Sequence, residues 1–245
     1  MLVRFSKIQN IGVVTFLGSG SAMHAWGTLI SEHRINQLFL NELSLAVKAI
    51  EKNLPNLKSV IFTGEGRFFS NGFDLDFFKT QSHSAALQVQ IDLEMLMAKI
   101  LRFPVLTVAA LNGHTAAAGV LFSLACDLRV MNASSVFYIP ATKLGLTYSP
   151  GFLELGKSRL QPQVFRDAFL LSKKYSASEA LAGGIVDFVF PGEEAVLSES
   201  IRFCELYAFP QSEAKTTMNS KVIEFFENSE PAQRDMGWAK FTSKL

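Results

Sequence analysis

Two stretches of small and turn-forming residues hold the clearest chemical potential in the sequence. Residues 64–75 read Gly-Glu-Gly-Arg-Phe-Phe-Ser-Asn-Gly-Phe-Asp-Leu, and residues 110–119 read Ala-Leu-Asn-Gly-His-Thr-Ala-Ala-Ala-Gly. Asn71 and Gly72 permit backbone angles that other residues resist, which lets a peptide N–H turn inward toward a ligand. In the second stretch the side chains after His114 are all small, so a ligand can approach the main chain closely. Free N–H groups and the positive end of a helix dipole there favour an oxygen that gains negative charge. Each stretch also has a plainer reading when taken alone: a loop feeding a helix for the first, a close helix-packing contact for the second.

Other chemically able side chains are scattered. His24, His33 and His83 lie in polar surroundings with no metal-ligand spacing, and His114, a few residues before the small-residue helix, suits packing near the loop better than base chemistry. Cys126 and Cys204 are far apart and form no CxxC pair, so neither a disulfide framework nor a zinc site is implied, and a reducing compartment fits.

The elements that must position these loops follow from hydrophobic periodicity. Residues 2–16 alternate as two short strands joined by a turn around Gly12, and residues 18–22 break the pattern. Helices are expected over 34–52, 84–101, 116–126, 162–171 and 177–182, and buried strands over 59–63, 105–111, 127–131 and 136–139. From Gly192 onward strands vanish and helices are expected over 193–207, 213–228 and from 231. The fold class is α/β, a strand-strand-helix rhythm over residues 1–191, with a helical C-terminal region over 192–245. No Pro/Ser-rich linker separates the two, so the C-terminal region should pack on the core or on a neighbouring subunit.

Composition narrows the partners. The chain has 245 residues, 49% of them hydrophobic, and a formal net charge of +1, with no dense run of Lys and Arg. That is ample material for a large core and too weak a field to favour nucleic acid or an anionic membrane. The apolar stretch from Phe103 to Ala125 is interrupted by Asn112 to Thr115, as a buried strand followed by a buried helix would be, and no membrane span is expected. The N-terminus lacks the pattern of a secretory signal and is expected to stay in the mature fold.

Taken together, the two loops lie roughly forty-five residues apart and are followed by Leu124-Ala125-Cys126-Asp127-Leu128-Arg129. Beyond them come Val136-Phe137-Tyr138-Ile139-Pro140, Lys143-Leu144-Gly145-Leu146 and 175–187, Tyr-Ser-Ala-Ser-Glu-Ala-Leu-Ala-Gly-Gly-Ile-Val-Asp. This succession resembles the crotonase (enoyl-CoA hydratase/isomerase) superfamily over roughly 2–191, weakening over 18–33. The wording of 68–75 with Asn112-Gly113-His114 is most similar to plant peroxisomal delta3,delta2-enoyl-CoA isomerases. The resemblance implies a crotonase-type spiral of strand-strand-helix repeats, a homotrimer or hexamer, and a fatty acyl-CoA thioester as ligand, with coenzyme A part of the substrate and no separate cofactor. It also places an oxyanion hole on the backbone N–H groups of Phe73 and Ala118, around which Ser70, Asn71, Gly72, Asp74, Leu75, Ala117, Leu121, Ala141 and Ser149 would form the binding site. The terminal Ser243-Lys244-Leu245 is the tripeptide read by the peroxisomal import receptor, so the expected location is the peroxisome, or the cytoplasm in a bacterial source.

The acids usual in the family are missing. Its hydratases carry carboxylates at the positions of Leu121 and Ala141, and its isomerases at that of Ala141 or of Ser149. None of these three side chains can move a proton. The expected reaction is isomerisation of 3-enoyl-CoA to 2-enoyl-CoA through a stabilised enolate. A non-catalytic acyl-CoA binder is the alternative, and Tyr148 offers another, since its context resembles the catalytic tyrosine of methylmalonyl-CoA decarboxylase. Asp74 and Asp127 belong to blocks the family uses structurally, and Glu154, taken as a first-turn helix residue, fits a dipole role.

Overall fold

The computed structural model describes residues 1–18, 32–209 and 211–242. The expectations placed on 19–31, His24 among them, and on Ser243-Lys244-Leu245 lie outside those residues. β1 (Val3–Ile8) and β2 (Ile11–Phe16) form an antiparallel hairpin. Its turn is the two-residue link Gln9-Asn10, with Gln9 at φ +53, and not Gly12, which lies inside β2. There Gly12 faces the Phe5 and Leu57 side chains, which would stand 3.1 and 3.3 Å from an added Cβ.

α1 (Gln37–Asn53) starts at Asn36, whose side chain accepts from Phe39 N–H, and buries Phe39, Leu40, Leu43, Val47 and Ile50 at helical spacing. There follow β3 (Ser59–Gly64), β4 (Phe68–Ser70), α2 (Leu75–Lys79), α3 (His83–Leu101), β5 (Leu106–Leu111), β6 (His114–Ala116) and α4 (Ala118–Leu124). Next come β7 (Leu128–Asn132), β8 (Val136–Tyr138), α5 (Pro150–Arg159), α6 (Pro162–Phe165), a π-helical turn (Arg166–Leu170), β9 (Lys174–Ser176), α7 (Ala177–Ala182) and β10 (Phe188–Phe190). The chain closes with α8 (Glu193–Leu206), α9 (Ser212–Asn228), α10 (Pro231–Arg234) and α11 (Trp238–Thr242).

The strands form two sheets. The larger has the order β1-β2-β3-β5-β7-β10, parallel except for the β1/β2 pair, and the smaller the order β4-β6-β8-β9. Strands buried on both faces explain the continuous apolar runs of β2, β3 and β5. On one face Val13, Ile61, Val108 and Val130 meet Val196, Phe203 and Cys204 of α8. On the other, Val14, Val60, Phe62, Ala109 and Met131 join the main core with α1 and α3. The C-terminal helices therefore pack on the core, α9 against α3 and α5, and α11 against α3. The Phe103 to Ala125 stretch divides into β5, β6 and α4, and among the described residues no helix is long and apolar enough to cross a membrane. The α/β spiral of strand, strand and helix is thus as expected.

Candidate active site

Each of the two loops leaves a strand of the large sheet, contributes a short strand to the small sheet and enters a helix. In the first, Ile35 N–H donates to Gly72 C=O at 2.7 Å and Asp74 N–H donates to Ile35 C=O at 2.9 Å. In such a bridge the intervening residue turns its own peptide groups the other way, so Phe73 N–H points away from Ile35. The arrangement is locked by Asp74, fully buried, whose carboxylate accepts from Asn36 Nδ2 at 2.9 Å and from Phe77 N–H at 3.2 Å as the cap of α2.

In the second loop Ala117 N–H donates to Tyr138 C=O at 2.8 Å, and Ala117 itself sits at φ +49, ψ −122. That is a strained conformation for a residue with a Cβ, and it swings the next peptide, carrying Ala118 N–H, off the course of β6. Gly72 joins the two loops. It has φ +83, and a Cβ there would lie 2.5 Å from the Ala117 Cβ and 2.8 Å from Ala118 N, so only glycine permits the approach. Neither Phe73 N–H nor Ala118 N–H has a hydrogen-bond partner among the described residues. α4 is only seven residues long, so the individual N–H groups, more than a helix dipole, make this an electropositive corner.

Both residues line a cavity of about 180 Å³. Asn71, Leu75, Ala117, Leu121 and Ala141 line it as well, together with Arg34, Ile139, Pro140, Leu144, Leu146, Tyr148, Met236 and Trp238. Its polar edge is Arg34 and Asn71, both bonded to Glu32 Oε2, at 2.6 Å from Arg34 Nε and 3.0 Å from Asn71 Nδ2; Arg34 Nη1 also reaches Asp76 at 2.9 Å. No carboxylate among the described residues lines this cavity. Among the described residues no group of three His, Cys, Asp or Glu side chains is placed to hold a metal ion.

Several candidates lie outside the lining or have their polar atoms engaged elsewhere. Ser70 Oγ donates to His33 C=O at 2.7 Å and steadies the first loop. Ser149 is fully buried and caps α5, accepting from Phe152 N–H at 3.3 Å, and its hydroxyl also meets Glu94. Tyr148 presents its ring to the cavity while its hydroxyl donates to Phe169 C=O at 2.9 Å, and burial raises its pKa. His114 stacks edge-on to Phe68, ring centres 5.5 Å apart, with its pKa lowered by burial. Asp127 accepts from Thr107 N–H at 2.7 Å and Lys215 Nζ at 2.6 Å, a structural role. Glu154 lies beyond the first turn of α5 and pairs with Lys221 at 3.0 Å, so its partner is a side chain of α9 and not the helix end. The Cys126 thiol is buried and its pKa pushed up to about 12, which leaves it inert as a nucleophile.

The C-terminal wall escaped sequence reasoning. Trp238 is fully buried, its Nε1 donates to Gln90 Oε1 at 2.8 Å, and its ring meets the Phe73 ring edge-on at 5.4 Å. Gln90 Nε2 donates to Arg234 C=O at 2.6 Å and to Glu94 Oε1 at 2.9 Å, and Glu94 pairs with Arg234 at 2.8 Å. Desolvation in this buried cluster raises the Glu94 pKa. Polar residues at 90 and 94, inside an otherwise apolar stripe of α3, were the available signal.

Against this geometry, the enoyl-CoA hydratase/isomerase family model matches residues 32–244. The chain belongs to the enoyl-CoA hydratase/isomerase family. Enoyl-CoA delta isomerase 3 of Arabidopsis thaliana is 36% identical over 162 residues, 64% of this chain and 68% of that protein. The peroxisomal enoyl-CoA delta isomerase 2 of the same plant is 35% identical over 185 residues, 72% of this chain and 77% of that one. A probable enoyl-CoA hydratase, EchA3 of Mycobacterium tuberculosis, superposes with a TM-score of 0.81 at 21% identity over 92% of each chain, which places this member of the enoyl-CoA hydratase/isomerase family in the same fold.

Proposed function

We propose that the cavity binds a fatty acyl-CoA thioester with its carbonyl oxygen between Phe73 N–H and Ala118 N–H, and that the protein shifts a 3-enoyl thioester to the 2-enoyl isomer. The observation that carries this reading is the pair of unpartnered N–H groups on one apolar cavity. Charge moves onto that oxygen when the α-carbon loses its proton. Donors fixed in advance stabilise the enolate by several kcal/mol, roughly 3 to 4 for one donor in comparable sites. The isomerase names of the plant relatives support the choice of reaction.

The lining itself favours a second reading. With Leu121 and Ala141 on the cavity wall and Ser149 buried outside its lining, no carboxylate among the described residues lines the cavity to carry the proton from α- to γ-carbon, as a binder without turnover would have it. Incubating 3-enoyl-CoA with purified protein and following formation of the conjugated product separates the two. Turnover that falls at least tenfold in Phe73→Pro, which removes one donor N–H, supports the isomerase, and tight binding without turnover supports the binder. Ala141→Glu restores an acid on the cavity wall, and a gain of isomerisation is expected from it under either reading.

Assembly into trimers or pairs of trimers belongs to the same proposal and is read by sedimentation. So does peroxisomal import through Ser243-Lys244-Leu245, which a fluorescent fusion with and without that tripeptide would reveal.

A further inference from the structure

Behind the wall of the first cavity lies a second one of about 350 Å³, and Leu146 and Tyr148 line both. The rest of its lining is mainly apolar, with Leu153, Phe165, Phe169 and Leu170. Three of its polar side chains are already engaged. Thr142 Oγ1 bonds Leu170 C=O at 3.1 Å and Ser172 Oγ at 2.6 Å, Arg166 pairs with Asp167 at 2.7 Å, and the Tyr148 hydroxyl is given to Phe169 C=O. A ligand there would be held by apolar contact, as an alkyl chain is.

The partition is made of the Leu146 side chain and the Tyr148 ring, and the ring is tied by its hydroxyl's hydrogen bond. Its acceptor, Phe169 C=O, belongs to the π-helical turn Arg166–Leu170, closed by Leu171 N–H to Arg166 C=O at 3.2 Å, a wide turn of the kind found often at functional sites. Tyr148 packs on Phe169, ring centres 4.8 Å apart, so a swing of the Tyr148 ring would join the two spaces. We propose that the second cavity receives the ω-end of acyl chains too long for the first, with Tyr148 as the gate between them. Continuity through Leu146 and Tyr148 with the cavity that carries the donor N–H groups selects this occupant over others. The inference rests on the acyl-CoA reading above and adds a chain-length rule to it.

The test compares dissociation constants of butanoyl-, octanoyl- and hexadecanoyl-CoA by calorimetry. Leu153→Trp fills the second cavity, and Leu170→Trp does so from its exposed rim, where a folding defect is not expected. Each should weaken hexadecanoyl-CoA at least tenfold and change butanoyl-CoA less than twofold. Tyr148→Phe, which loses the hydroxyl and keeps the ring, should raise the hexadecanoyl-to-butanoyl affinity ratio at least threefold. Equal effects on all chain lengths, or none, overturn the inference, as does a change of sedimentation mass in the Trp variants with an unaltered chain-length profile, which would give this face to a second copy. Failure of the wild type to bind even butanoyl-CoA would instead remove the acyl-CoA reading, and this inference with it.

Discussion

Gly72 and Ala117 show how much of the site depends on backbone angles at two residues. An alanine at position 72 would need φ near +83 and would drive its Cβ into Ala117 and Ala118 N. Gly72→Ala should therefore part the two loops and lower acyl-CoA affinity at least tenfold, with ~1–2 kcal/mol lost from stability, as calorimetry and urea denaturation would measure. Ala117 has the opposite outlook. Its φ of +49 is paid for elsewhere in the fold, and Ala117→Gly should raise stability by about 1 kcal/mol, seen as a higher urea midpoint. The meeting of Phe73 and Ala118 on one cavity was legible in the sequence, because the wording of the two loops carries them. The strain at Ala117 was not, since an alanine in a row of alanines gives no sign of a positive φ. The engagement of Ser149 and of the Tyr148 hydroxyl was equally hidden, for their partners, Phe152 N–H with Glu94 and Phe169 C=O, are set by tertiary packing.

Among the elements, α1, α3 and α7 were readable because their apolar residues recur at helical spacing, and β3 and β5 because they are continuous apolar runs. The three-residue strands β4, β6 and β9 are too short for alternation to register. The bounds of α5 were obscured by Gly151 and Gly156, which lower helix propensity and are needed for packing: added Cβ atoms would lie 2.3 Å from Phe226 and 2.5 Å from Phe169. Ser149 followed by Pro150 was its overlooked start signal. The link between α3 and the C-terminal helices yields a prediction. Arg234→Met leaves Glu94 buried without its cation and should cost ~3 kcal/mol or more near neutral pH. Burial already holds the folded pKa of Glu94 above its unfolded value, so its ionisation subtracts stability as pH rises from the ordinary carboxylate range through the folded pKa. Loss of Arg234 pushes that pKa further up. The deficit of the variant relative to wild type should then shrink as pH falls toward the carboxylate range, as urea denaturation at several pH values would establish.

At the scale of the whole molecule, two sheets and a shell of helices converge on a cavity that has donors at one corner and hydrocarbon over most of its wall. Trp238, brought in by the last helix, packs on the Phe73 ring, so the chain's C-terminal region helps to fix the donor pair set up by loops more than a hundred residues earlier. The family and the fold class were legible because motif blocks recur in order along most of the chain; the cavity wall contributed by Met236 and Trp238 was not, because no local pattern ties those residues to the loops. The central claim is that the two N–H groups polarise a thioester carbonyl. It is tested most directly by isotope-edited difference infrared spectroscopy of 2-enoyl-CoA labelled at the carbonyl carbon, a measurement that needs no proton transfer. The bound carbonyl stretch should lie at lower frequency than the free one, and the shift should shrink or vanish in Gly72→Ala; a ligand bound to the wild-type protein with its carbonyl stretch unmoved would contradict the account.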